Sequence, residues 1–188
     1  MDLTPPWRRI TFHDALRQYG DLDLDQFPDA DSLRDELRRR GLDAPDTAGY
    51  GKLADEAMSH YVEPNLIQPT FLLDYPVELS PLAKRKPDNP RLVERFEVFI
   101  GGFEAGNAYT ELNDPVDQRQ RFEEQLRLRE AGDEDVELLD EDFLFALEHG
   151  MPPTGGFGMG IDRLCMILTG QPTIREVILF PQLRSEKT

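Results

Sequence analysis

Glu104, Asn107, Tyr109 and Glu111 place two carboxylates, an amide and a phenol within one short segment, FEAGNAYTEL. In a strand, Asn107, Tyr109 and Glu111 share parity and face one side, whereas Glu104 has the opposite parity. Glu104 can join the other three only if a bulge or bend intervenes, and Gly106 is the position where a bulge is expected. Two carboxylates on one face repel each other unless a cation neutralises them. A pair of solvent-exposed strand glutamates fits the same spacing, and parity alone does not choose between these readings.

A second cluster lies in Thr154 to Leu168, TGGFGMGIDRLCMIL. Gly156, Gly158 and Gly160 alternate at strand spacing, so they share a face. A bare glycine face packs poorly and costs chain entropy, which makes sense if something must approach the backbone closely. Asp162 and Arg163 follow in the first turn of the next helix. Asp is favourable there, and Arg beside free backbone N–H groups is the composition of a phosphate site. A flat ring could lie on the glycine backbone, but a structural Asp-Arg pair on a glycine-rich strand fits the spacing equally well.

These clusters need elements to hold them. Thr11 with Asp14 reads as a helix start opening Phe12 to Gln18; Ser32 to Arg40 is a second helix, stopped by Gly41; and Lys52 to Val62 is a third. Strands are expected at Pro69 to Leu73, at Phe96 to Ile100 and at Phe103 to Leu112. A charged surface helix is expected from Asn113-Asp114-Pro115 to Arg129, then an acidic solvated loop, AGDEDVELLDED, and a short helix ending at Gly150. The final helix shows Ile161, Leu164, Cys165 and Leu168 on one stripe, with Cys165 as a buried small hydrophobe. Glu176 to Phe180 reads as a last strand. Strands recur without regular βαβ alternation, which favours an α+β fold with a mainly antiparallel sheet flanked by helices. His13, His60 and His149 lie far apart without ligand spacing and read as structural or surface residues.

The chain has 188 residues and a formal net charge of −16. That balance argues against a stand-alone, non-specific nucleic-acid binder. One cysteine excludes an intramolecular disulfide, and with no apolar run of membrane-span length a cytoplasmic setting is expected.

GFGMGIDR resembles the third signature motif of class II aminoacyl-tRNA synthetases. The segments LIQPTFLLDYPVELSPLAK, RFEVFIGGFEAGNAYTELNDPVDQRQRF, LDEDFLFALEHGMPPTGGFGMGIDRL and REVILFPQLR each resemble those of lysyl-tRNA synthetases, in family order. Residue 103 departs, being Phe where Arg is usual in the bacterial enzymes. The resemblance implies an incomplete catalytic domain of the class II type, the C-terminal part, with residues 1–66 as a helical segment and 67–188 as the sheet and active-site segment. It implies ATP and Mg2+ as cofactors and lysine and tRNA(Lys) as substrates. By the same resemblance Glu104 and Glu111 bind Mg2+, Asn107, Tyr109 and Glu111 line a lysine pocket, and Arg163 holds the ATP γ-phosphate. Gly156, Gly158 and Gly160 would lie against lysine and adenosine. The implied reaction is attack of the lysine carboxylate on the α-phosphorus of ATP, then transfer to tRNA.

The anticodon-binding barrel and the first two family motifs are not found in these residues. The chain is therefore expected to be a truncated or split piece, inactive alone, completed by a missing N-terminal synthetase part and homodimeric only with it. Two alternatives stand beside this reading: a synthetase-like binding or regulatory module, and a ligase that attaches lysine to a non-tRNA acceptor.

Overall fold

The computed structural model describes residues 1–130 and 140–181. Most of the expected acidic loop, residues 131–139, lies outside the described residues. Five strands form one sheet in chain order: β1 Arg8–Thr11, β2 Thr70–Leu73, β3 Arg95–Ile100, β4 Phe103–Thr110 and β5 Gly155–Met159. Only β1 and β2 pair in parallel; the other neighbours are antiparallel, as expected for the α+β reading.

Three helices, α1 Phe12–Gly20, α2 Ala30–Arg39 and α3 Tyr50–Tyr61, fill the long connection between β1 and β2. Thr11 caps α1 by accepting from the Asp14 N–H, and Asp29 with Ser32 forms a capping box on α2. Gly41 follows α2 at φ +84°, a left-handed turn that a side chain would strain. The buried sides of these helices, including Phe12, Leu16, Leu33, Leu37, Leu53 and Met58, pack with Leu72, Tyr75 and Phe99 to form the main core. On the other face of the sheet Val98, Ile100 and Ala105 pack with Trp7, Phe71, Phe96 and Ile167. Trp7 is thus a packing residue, with its ring centroid 5.7 Å from that of Phe71.

β1 was not expected, because the first third reads as helix and loop. Its four residues RRIT carry little alternation, and only pairing with β2 makes them a strand. α4 Pro115–Glu130 forms where expected but is not wholly a surface helix. It buries Phe122, Gln118 and Arg121, and the Arg121 guanidinium donates to the Ser80 and Ala83 carbonyls and pairs with Asp117. α4 thereby pins the loop of residues 80–83 beside the site face. α5 Glu141–Glu148 packs on α4 through Phe143 and Phe122.

Residues 161–180 depart most from expectation. α6 Ile161–Thr169 forms, but Ile161 and Leu168 are 64% and 67% exposed, Cys165 is exposed, and the buried residue is Met166. Glu176 to Phe180 is not a strand: a 3-10 turn covers Ile174–Glu176, and Leu179 and Phe180 are 88% and 91% exposed. The physical reason is the same in both places. A strand needs a neighbour and an apolar stripe needs a cover, and among the described residues neither is present.

Candidate active site on the glycine-facing side of the sheet

The site is built on β4. In the β3–β4 ladder Val98 pairs with Gly106 but Phe99 pairs with Glu104, so Ala105 is an extra residue in β4. This bulge, one residue before the expected Gly106, reverses the parity of everything before it. Glu104 therefore shares a face with Asn107, Tyr109 and Glu111, joined by Arg95, Glu97 and Phe99 from β3. Gly158 and Gly156 stand opposite Asn107 and Tyr109 on β5. Gly160 caps α6, and Arg163 lies in the first turn of that helix.

The glycines have different reasons. A Cβ on Gly156 would collide with the Oε1 of Glu111, so what approaches the backbone there is the chain's own carboxylate. A Cβ on Gly158 would meet nothing nearer than the Asn107 carbonyl at 3.9 Å, which leaves an open shelf. Gly106 is crowded by the Gly158 carbonyl at 3.0 Å and by the Phe157 ring, so the bulge and β5 fit only around a glycine. Glu111 is half-buried, and burial raises its carboxyl above the usual carboxylate range. A carboxylate in that state gains most from a cationic partner.

We expect Gly156→Ala to push the Glu111 carboxylate off β5. Dissociation constants for a cationic substrate should rise by roughly tenfold to a hundredfold, with the melting temperature changed little because the position is at a sheet edge. Calorimetric titration alongside a thermal melt checks this, and unchanged affinity would show that Glu111 does not depend on the bare backbone.

Arg163 bridges back to β4, donating to the Glu104 carbonyl at 2.7 Å and to its carboxylate at 3.0 Å. Both side chains border a hollow of about 380 Å³ that also holds Asp55, Glu63 and Glu97. Four carboxylates thus face one guanidinium. Burial raises the Glu97 carboxyl, Arg95 opposes this, and the negative charge of Glu104 adds to it. Burial, then the neighbouring Glu63, likewise raises Asp55.

One sequence expectation needs correction. Glu104 and Glu111 are expected to share Mg2+, but they stand seven positions apart along extended chain, a span of roughly 20 Å that two short side chains do not close. Glu97 is the carboxylate that shares a hollow with Glu104. It was missed because its parity relative to Glu104 becomes visible only once the Ala105 bulge is known. Among the described residues no group of three or more His, Cys, Asp or Glu side chains is arranged to hold a metal ion. A pair of carboxylates, however, suits Mg2+, which takes one or two carboxylates and completes its shell with water and phosphate oxygens.

Beyond Arg95 the same face continues into a smaller hollow of about 180 Å³, lined by Ser80, Leu82, Asn107 and Tyr109. A larger one, about 630 Å³, opens mainly on the other face beside Phe96, Ala108 and Phe157. It lies across the sheet from the carboxylates, so its size does not make it the reactive site. The basic stretch SPLAKRKPDNPR, expected to be a solvated loop, is partly built in: Lys86 pairs with Asp74 at 2.7 Å and Arg85 with Asp117 at 3.4 Å. The three histidines stand apart from this face; His149 bonds the Phe145 carbonyl within its own helix end.

The site thus combines a mainly antiparallel sheet with a glycine strand, a following helix that presents Arg, and acidic groups on one face. The chain belongs to the class II tRNA synthetases: the family described as "tRNA synthetases class II (D, K and N)" matches residues 1–184. Its relatives include the lysine–tRNA ligases of Moorella thermoacetica, 54% identical over 187 residues, and Chloroflexus aurantiacus, 55% identical over 184. That of Thermosynechococcus vestitus is 55% identical over 187 residues. These matches cover 98–100% of this chain but only 37–38% of each relative. The family and the partial extent are as the motifs led us to expect; the assignment to the C-terminal part is not borne out by these matches.

Proposed function

We propose that this chain carries part of the active site for ATP-dependent activation of lysine and its transfer to tRNA(Lys), in the cytoplasm. The observation that carries the reading is the arrangement along β4: a carboxylate–guanidinium cluster at one end, Glu111 on the Gly156 backbone at the other, and an open glycine shelf between them. That order suits a substrate with phosphates at one end and an ammonium at the other. The names of the relatives, all lysine–tRNA ligases, support the same substrates.

In this reading Glu111 holds a lysine ammonium and Tyr109 and Asn107 line the amino-acid subsite. Gly158 and Gly160 give adenosine and lysine a flat backbone, Gly156 makes room for Glu111, and Arg163 neutralises phosphate charge. Glu104, with Glu97, holds Mg2+, which when bound screens the charge of the phosphates. No side chain acts as a nucleophile. The residues position a carboxylate beside an electrophilic phosphorus and neutralise the charge that develops. Residues 1–66 serve as the helical support and 67–188 as the site-bearing segment.

The exposed apolar surface of β5, α6 and the residues after it includes Phe157, Ile161, Leu168 and Phe180. In this reading it is covered by the remaining length of the synthetase, which also supplies anticodon recognition and the dimer contact. The test is lysine-dependent ATP–pyrophosphate exchange by the purified chain, with and without the rest of a lysine–tRNA ligase. Exchange only in the mixture is the expected result. Exchange by the chain alone would show that the site is complete without the remainder, and no exchange in either, from folded protein, would overturn lysine activation.

A further inference from the structure

The Arg95 guanidinium has no acceptor atom; every hydrogen bond that it makes, it donates. Its Nε donates to Oδ1 of Asn107 at 3.1 Å, its Nη1 to the Leu79 carbonyl at 2.9 Å and to Ser80 Oγ at 2.7 Å, and its Nη2 to Glu97. The guanidinium also lies over the Tyr75 ring, 4.6 Å from its centroid. Arg95 and Glu97 are both largely buried, with side chains 16% and 13% exposed. One planar fork therefore ties β3 to β4, to the loop at residues 79–80 and to the acidic hollow.

The contact with Asn107 fixes a direction that a side-chain amide does not otherwise have. Because the partner is a pure donor, the atom of Asn107 that faces Arg95 must be its oxygen. The NH2 group is then turned away from Arg95. With its oxygen committed to Arg95, Asn107 offers a ligand chiefly its two N–H donors, and the group these recognise is an oxygen acceptor, such as a carboxylate, while cation recognition falls to Glu111.

We propose that Arg95 is a positioning residue that locks the Asn107 amide with its NH2 as a donor for a substrate oxygen, while holding Glu97 in place at the neighbouring acidic hollow. The substrate part of this proposal rests on the lysine-activation reading; the locking part does not. Lys at position 95 keeps the charge but not the fork, so it cannot serve Asn107, Leu79, Ser80 and Glu97 together.

Two arms test the proposal. In the chain labelled with 15N-asparagine, only residues 65, 89, 107 and 113 give side-chain amide signals, and Asn107→Ala assigns the one of interest. Arg95→Lys should move the Asn107 NH2 pair toward free-amide shifts and speed its solvent exchange, with the other three unchanged. Signals that stay in place in folded Arg95→Lys would overturn the locking. In the mixture that exchanges pyrophosphate, Arg95→Lys should raise KM for lysine about 10- to 100-fold, the size of a lost charge-assisted bond, and should raise the Mg2+ requirement too because Glu97 loses its partner. An unchanged KM for lysine would overturn the substrate part.

Should Arg95→Lys fail to fold, Asn107→Asp decides instead. It keeps an oxygen for Arg95 but replaces the donor by an anion, so it should fold normally and raise KM for lysine about 100-fold or more. A wild-type KM in Asn107→Asp would overturn the donor role. Lack of exchange even in the wild-type mixture would sink the lysine reading and leave the amide signals to decide on Arg95.

Discussion

On the lysine-activation reading, Glu111→Gln should abolish productive lysine recognition, raising the dissociation constant for lysine by about a thousandfold, while it makes the unliganded chain slightly more heat-stable at neutral pH. The first effect follows from removing one partner of a desolvated charge pair, which costs about 3–5 kcal/mol. The second follows from linkage. Burial raises the Glu111 carboxyl above its unfolded value. The contribution of such a group to stability is therefore fully present below the unfolded pKa and is lost as the pH rises through the folded one. At neutral pH wild type bears that loss, and a glutamine, which does not titrate, avoids it. Lysine binding has the opposite dependence, because it needs the ionised carboxylate, and should weaken as the pH falls through the raised value. Calorimetric titration with lysine and thermal melts at pH 5 and pH 8 check all three statements. A variant that binds lysine like wild type, or that melts lower at pH 8, would remove Glu111 from the substrate site.

The elements that were legible in the sequence are those whose signals are local. Thr11 and Asp14 mark a helix start because the cap is made within four residues, and Gly41 marks an end because the turn itself requires positive φ. The glycines of β5 were legible as a face, although the tightest of them, Gly156, makes room for Glu111 rather than for a ligand. What could not be read depends on contacts between distant residues. β1 exists only through β2, some sixty residues later. The missed role of Glu97 depends on which β4 residue bulges, and periodicity suggests Gly106 as the place without saying which residues change face. Arg95 gave no sequence signal, since a strand arginine becomes an amide lock only when Asn107, Leu79 and Ser80 converge on it. The stripe on α6 was misread because a 3.6-residue period reports that a face is apolar, not that its cover lies in the same stretch of chain.

Glu97→Gln should remove most of the Mg2+ response of the chain, and it separates the proposed Glu97–Glu104 pair from the pair Glu104–Glu111 expected from the sequence. With Asp55, Glu63, Glu97 and Glu104 around one hollow, the unliganded protein holds more negative charge there than Arg163 can balance. A divalent cation that binds the folded state alone stabilises it by mass action, so Mg2+ should raise the wild-type melting temperature in a concentration-dependent way. Loss of one of two carboxylate ligands should shift the half-maximal Mg2+ concentration up by about a hundredfold. Glu111→Gln, at the far end of β4, should leave the Mg2+ shift as it is in wild type. The opposite pattern, a Mg2+ response lost in Glu111→Gln and kept in Glu97→Gln, would restore the pairing of Glu104 with Glu111 and mean that β4 bends far more than a single bulge allows. The two variants thus divide one strand into a cation-binding end and an ammonium-binding end, which is the division that a substrate with phosphates at one end and an amine at the other requires.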